Sequence, residues 1–283
     1  MSNHDYSKTF LVRPGSKVRL KGIDAGYHGK HESHDQALPE IQAQLAKIDA
    51  LQYLMHAESA HALLIVLQGL DAAGKDGVIR HVLTAMNPVG CTVTGFKQPT
   101  SAELAHEFLW RVHPHVPAKG SVAIFNRSHY EDVLVVRVHQ LVPEELWAKR
   151  FGLINDFEKL LATENQTTIL KFFLHISNEE QLQRFKKRLD DPSRNWKISE
   201  SDYKEREYWD EYMKAYEEAL QKTSTSHAPW FVIPSDHKWF TRLAVAAAIV
   251  DGLVGLDLRF PKVDKAKRRE LEKARLALLA QKD

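Results

Sequence analysis

The chain has 283 residues, 43% of them hydrophobic and 27% charged, with a formal net charge of +2. That is the balance of a globular domain with a sizeable core, not of a disordered or membrane-spanning chain. So small a net charge excludes a global field that recruits polyanions, so any anion site must be a local basic cluster. The single cysteine, Cys91, permits no internal disulfide and fits a reducing, cytoplasmic setting. Met1 to Leu20 has no apolar core of signal-peptide type, and no stretch is apolar and long enough to cross a membrane.

Residues 1–35 are polar and glycine-containing and read as an irregular arm; His31 and His34 within it lack other close ligand types and read as solvated. From Gln36 to Ser59, Leu38, Ile41, Leu45, Ile48, Leu51 and Leu54 recur at spacings of three and four, which predicts an amphipathic helix. The apolar run Leu63–Leu67 then reads as a first strand. It ends in Gly69-x-x-x-x-Gly74-Lys75, with a helical pattern following. Strand, glycine-rich loop and helix in this order form the context of a phosphate-binding loop. The glycines let backbone N–H groups approach a phosphate, the helix N-terminus adds a favourable dipole, and Lys75 adds a full charge. Asp76 stands where such loops place a Ser or Thr. Asp71, a carboxylate inside the loop, calls for a divalent cation between itself and phosphate oxygens.

The remaining elements alternate. Helix is predicted for 77–86, strand for 91–96, helix for 101–113 and strand for 121–126. Helices follow at 130–140 and 144–162, then a strongly apolar strand at 167–176, helices at 178–190 and 203–222, a strand at 229–234 and a helix at 239–256. Residues 262–283, rich in Lys, Arg, Glu and Leu, read as a charged tail helix, with acids too interleaved for nucleic-acid binding. The alternation predicts an α/β three-layer sandwich, a five-stranded parallel sheet with helices on both faces. Ligands in such folds gather beyond the carboxyl ends of the strands. There the sequence places the loop, Lys97, and the run from Asn126 and Arg127 to Glu131 and Asp132. A basic stretch between the fourth and fifth strands (Arg184, Lys186, Lys187, Arg188, Arg194, Lys197) reads as a lid over about 184–206.

The stretches Gln68–Gly77, Asn87–Pro88, Phe96–Pro99, Phe108–Arg111, Pro117–Gly120, Phe125–Val133, His175–Ser177, Asn195–Lys197 and Ala228–Trp230 together resemble the polyphosphate kinase 2 family. Within it they resemble the class III members, which phosphorylate nucleoside mono- and diphosphates. The resemblance runs from about Pro39 to Pro261, in order, and Asp76 belongs to the family's pattern. It implies a phosphate-loop kinase-like domain over 36–261 with a helical lid. It also implies Mg²⁺-dependent, reversible transfer of a terminal phosphoryl group from polyphosphate to AMP and ADP, with GMP and GDP as further acceptors and Mn²⁺ as an alternative cation. The expected catalytic set is Asp71, Lys75, Arg127 and Glu131, with Asp71 and Glu131 on the metal. Gly69, Ala72, Ala73, Gly74, Lys75, Asp76, Lys97, Asn126, Arg127, Asp132, Arg137, Arg188 and Lys197 are expected to bind phosphate or nucleotide. Class I members carry Asp at the position of Asn126 and no acid at that of Glu131, which ties Glu131 to the use of a monophosphate acceptor. A homodimer or homotetramer is expected. Two alternatives remain at this level: an ATP-dependent nucleotide kinase of thymidylate-kinase type, and a non-catalytic polyphosphate-binding module.

Overall fold

The computed structural model describes residues 5–281; positions 1–4 of the arm and 282–283 of the tail lie outside the described residues. In chain order the first elements are α1 (Tyr6–Phe10), β1 (Leu11–Val12), α2 (His34–Glu58), β2 (Ala62–Gln68), α3 (Lys75–His81), β3 (Cys91–Gly95), α4 (Ser101–Leu104) and β4 (Val122–Asn126). They continue with α5 (Glu131–Val138), α6 (Glu144–Glu164), β5 (Thr167–His175), α7 (Asn178–Leu189), α8 (Glu200–Lys204), α9 (Trp209–Thr223), β6 (Trp230–Pro234), α10 (Lys238–Val254) and α11 (Lys265–Leu279).

The strands form one sheet in the order β1-β6-β5-β2-β4-β3. Five of them are parallel, as the alternation predicts, and β1 adds a two-residue antiparallel edge through Leu11–Phe231 and Val12–Trp230. The sheet is therefore six-stranded, one strand more than expected. Alternate residues of the central strand β2 serve the two faces. Leu63, Ile65 and Leu67 pack with α1, α2, α3 and α10, whereas Leu64 and Val66 pack with α5, α6 and α9. Helices thus cover both faces, which is why β2 is apolar throughout and fully buried.

Three stretches differ from the periodicity reading. The arm is not irregular over 6–12, because Tyr6 and Phe10 bury their rings against Phe240 and carry the chain into β1. The helix expected over 101–113 stops at Leu104. Beyond it, the Glu107 carboxylate accepts from the Leu109 N–H at 2.7 Å, closing a local turn, and Arg111 reaches back to the Lys97 carbonyl at 2.9 Å. The helix after the loop ends at His81 and yields to a tight turn at Leu83–Ala85.

Candidate active site

The phosphate-type loop joins β2 to α3. Gly69 has φ 151°, and a Cβ there would lie 2.9 Å from the Leu174 carbonyl of the adjacent strand, so only glycine fits. Arg184 is buried and spans the outside of this loop. It donates to the carbonyls of Ala72 (2.8 Å) and Ala73 (3.3 Å), to those of Ser235 (2.5 Å) and Asp236 (2.9 Å), and to Glu180 (2.8 Å). Gln181 donates to the Asp71 carbonyl at 2.9 Å, and the Ser235 hydroxyl donates to that of Ala73. Lys75 starts α3 and donates to the carbonyls of Gly69 (2.6 Å) and Leu70 (3.1 Å). Its burial, with Arg127 beside it, lowers its pKa to about 8 despite the opposing pull of Asp71, Glu131 and Asp76.

Arg127 follows β4 directly and holds a left-handed backbone, φ 61°, which non-glycine residues adopt at a cost. Its N–H donates to the Leu67 carbonyl at 3.0 Å, and the neighbouring Ser128 hydroxyl accepts from Gln68 at 3.0 Å. These bonds lock the β4 exit to the β2 exit. The guanidinium then bridges two acids, donating to Asp71 at 2.6 Å and to Glu131 at 3.2 Å. Burial raises the Asp71 pKa, but the charges of Lys75 and Arg127, the Arg127 hydrogen bond and Arg188 outweigh it and hold the carboxyl below its usual range. Asn126 donates to Asp76 at 2.9 Å, a second bond between strand end and loop.

The Asp71–Arg127 pair stands between two clefts. On one side is a cleft of about 920 Å³ lined by the loop, α7, the segment 193–197 and the start of α10. Ten Lys or Arg residues line it against four acids, among them Lys187, Arg188, Arg194 and Lys197 of the expected lid. Burial and the nearby Arg184, Arg194 and Lys187 depress the pKa of Lys238, which is what crowding of like charge does. On the other side is a cleft of about 230 Å³ in which Asp71, Arg127 and Glu131 face Trp209, Tyr212 and Tyr216 of α9.

Of the two expected metal ligands, Asp71 lines both clefts and Glu131 the aromatic one. Of the residues expected to bind phosphate or nucleotide, Ala72 to Asp76, Asn126, Arg127, Arg188 and Lys197 line the basic cleft and Gly69 the aromatic one. Three line neither. Lys97 is exposed beyond β3. Arg137 donates to Glu218 at 2.6 Å and lies over the Trp147 ring. Asp132 turns from both clefts to Arg150 (3.3 Å) and Arg111 (3.8 Å), with its pKa raised to about 6, mainly by burial. Arg184 belonged to the basic run in sequence, but its role is to hold the loop. Gln181, Ser235 and the α9 aromatics carry no sequence signal, because each acts through a long-range contact. Among the described residues no helix is long and apolar enough to cross a membrane.

A glycine loop at a β2–α3 junction, a lysine inside it and an arginine at the neighbouring strand end define the phosphate-loop class of phosphotransferases. The polyphosphate kinase 2 family model matches residues 29–259. The chain is 47% identical over 263 residues to an AMP/ADP-polyphosphate phosphotransferase of Meiothermus ruber, covering 93% of this chain and 98% of the relative. It is 42% identical over 289 residues to an ADP-polyphosphate phosphotransferase of Rhodopseudomonas palustris, covering 96% and 98%. The crystal structure of polyphosphate kinase 2 from Arthrobacter aurescens superposes with a TM-score of 0.87 at 44% identity, covering 93% of this chain and 95% of that one. The chain belongs to the polyphosphate kinase 2 family.

Proposed function

We propose that this protein transfers the terminal phosphoryl group of inorganic polyphosphate to AMP and ADP, reversibly, with GMP and GDP as further acceptors. The observation that carries the reading is the Asp71–Arg127 pair standing in the wall shared by a basic cleft and an aromatic one. A polyanion suits the first cleft, where cations neutralise successive phosphates. A base and ribose suit the second, where aromatic rings offer stacking surface. Their phosphate ends then meet at Arg127 and Lys75.

In this reading a P–O bond to the terminal phosphorus of polyphosphate breaks, and a new one forms to an oxygen of the acceptor's phosphate. The shortened polyphosphate leaves with the bridging oxygen. The acceptor oxygen is already anionic, so no general base is needed. Lys75 and Arg127 offset charge on the group in transit, and the loop N–H groups orient it. One phosphoanhydride replaces another, hence the reversibility.

Asp71 and Glu131 are the residues that would hold Mg²⁺, or Mn²⁺ in its place. Asp71 is kept ionised, and Mg²⁺ is commonly held by one or two carboxylates together with substrate phosphates, so the donor set fits. Bound there, the cation supplies further neutralisation of phosphate oxygens. A cytoplasmic homo-oligomer, dimer or tetramer, completes the reading.

The test is an acceptor panel of AMP, GMP, ADP and GDP with polyphosphate and Mg²⁺, run beside ATP as sole donor. Product with polyphosphate supports the proposal. Turnover only with ATP replaces it by an ATP-dependent nucleotide kinase.

A further inference from the structure

Arg206 closes the stretch expected as a lid, in the short turn Glu205–Tyr208 between α8 and α9. Its guanidinium reaches back to the first turn of α7. It donates to the Asn178 carbonyl at 3.2 Å, to the Asn178 side-chain oxygen at 2.6 Å and to the side-chain oxygen of Gln181 at 2.6 Å. The amide nitrogen of Gln181 in turn donates to the Asp71 carbonyl at 2.9 Å. Arg206, Gln181 and Asp71 thus form one line of hydrogen bonds, and all three line the aromatic cleft.

The two ends of this line fix its middle. A side-chain amide has an acceptor on one side and donors on the other, and a half-turn exchanges them. A guanidinium offers donors only, so it takes the oxygen of Gln181. The nitrogen is left facing Asp71, whose carbonyl can only accept. Without Arg206 the amide can present its oxygen instead, setting two acceptors against each other. Gln181 is buried, so a bond lost there is not replaced at no cost by bulk water. A phosphate ligand or a solvated lid charge would turn its donors into the cleft or the solvent; those of Arg206 go to Asn178 and Gln181.

What the line holds is the residue whose carboxylate lies 2.6 Å from Arg127, in the wall shared by both clefts. At the other end of the expected lid, Arg184 holds the carbonyls of Ala72 and Ala73 directly. The carbonyls of residues 71, 72 and 73 therefore depend on both ends of the same stretch.

We propose that Arg206 is a positioning residue: by orienting Gln181 it sets the Asp71 peptide, so that the Asp71 carboxylate is correctly presented only when the far end of the lid is seated on α7. The use made of that carboxylate rests on the function proposed above; the line of bonds does not depend on the substrate.

Hydrogen exchange of the unliganded full chain, read over residues 69–76, tests it. Arg206→Met and Gln181→Met are each expected to speed exchange in this loop about 10-fold and to leave α6 unchanged. Because Arg206 acts through Gln181, the double variant should exchange no faster than Gln181→Met alone. In assays with polyphosphate and ADP, either change, and both together, should lower kcat about 10-fold and leave KM for ADP within about 3-fold. Additive losses, or a loss carried by KM for ADP, would make Arg206 a direct contact of the acceptor and overturn the proposal. Loop exchange at the wild-type rate in Arg206→Met would also overturn it. Should Arg206→Met fail to fold, Arg206→Lys takes its place in the cycle, since it keeps the charge without the fork that serves Asn178 and Gln181 together. A wild type without polyphosphate-dependent turnover removes the function proposed above, and the exchange cycle still decides the role of Arg206.

Discussion

The side-chain amide of Asn126 donates to the Asp76 carboxylate at 2.9 Å, joining the end of β4 to the first turn of α3. Asp76 occupies the loop position at which other phosphate loops place a hydroxyl. In this chain its carboxylate engages the neighbouring strand end. Asn126→Asp replaces a donor by a second carboxylate and is expected to destabilise the fold by about 1 kcal/mol. Exchanging the pair, Asn126→Asp with Asp76→Asn, restores a donor facing an acceptor. Urea unfolding should show the exchanged variant recovering most of the loss; equal loss in both would mean that the bond contributes nothing.

Arg127 holds two acids at once, so its geometry matters as much as its charge. Arg127→Lys keeps the charge but loses the planar fork that reaches Asp71 and Glu131 together. The expected result is a fall in kcat of about 100-fold with a smaller change in KM, because the proposed role of the group is exerted where charge develops. Steady-state kinetics with polyphosphate and ADP measure it.

The pKa of Lys75, lowered to about 8, fixes a pH dependence. A lysine is ordinarily protonated to above pH 10. Between pH 8 and that value the unfolded chain holds a proton that the folded chain has released. Stability therefore rises with pH across this window and is lost again as pH falls through 8. The melting temperature of the wild type, compared with Lys75→Met, should shift in favour of the wild type from pH 7 to pH 10. With Lys75 as the proposed phosphate-binding charge, the free enzyme loses that charge over the same range, and kcat/KM for polyphosphate should fall above pH 8. A difference in melting temperature that stays constant with pH would contradict the assignment.

Glu131 separates acceptors in this reading. Glu131→Gln is expected to reduce kcat/KM for AMP at least ~10-fold more than for ADP. Parallel initial-rate assays with the two acceptors give the ratio, and an unchanged ratio removes Glu131 from acceptor choice.

Behind the site, Lys171 and Glu158 are fully buried and meet at 2.5 Å, with Tyr130, His129 and the Thr223 carbonyl completing the network. Glu158→Ala leaves a buried ammonium without its charge partner and is expected to cost about 3–5 kcal/mol. Lys171→Met with Glu158→Leu removes both charges and should cost less than the single change. Denaturant midpoints of the two variants decide.

The parts of the fold legible in sequence are those fixed by local pattern. The β2 run and the glycines of the loop are explicit in the order of residues, as are the polar groups after β4. What escaped depends on contacts between distant segments. Nothing local announces that Arg111 reaches back to the Lys97 carbonyl, or that Tyr6 and Phe10 find Phe240 across the chain. Asp132 and Arg137 sit among residues that do line the clefts, and only the helical rotation of α5 carries them elsewhere. The basic run over 184–197 was visible as composition. That Arg184 is buried against the loop carbonyls while Lys187 and Arg188 stand more open in the same cleft follows from which face of α7 meets the loop.

A loop that turns its N–H groups toward an anion must turn carbonyl groups the other way. In this chain Arg184, Gln181 and Ser235 receive those carbonyls from behind, at Asp71, Ala72 and Ala73. The curvature of the cradle is thereby a product of folding and does not await the incoming phosphate. Binding then carries a smaller ordering cost, and the same donors are in register for substrate, transition state and product. A cradle held this way favours neither direction of transfer, as an enzyme working on two phosphoanhydrides of similar energy requires.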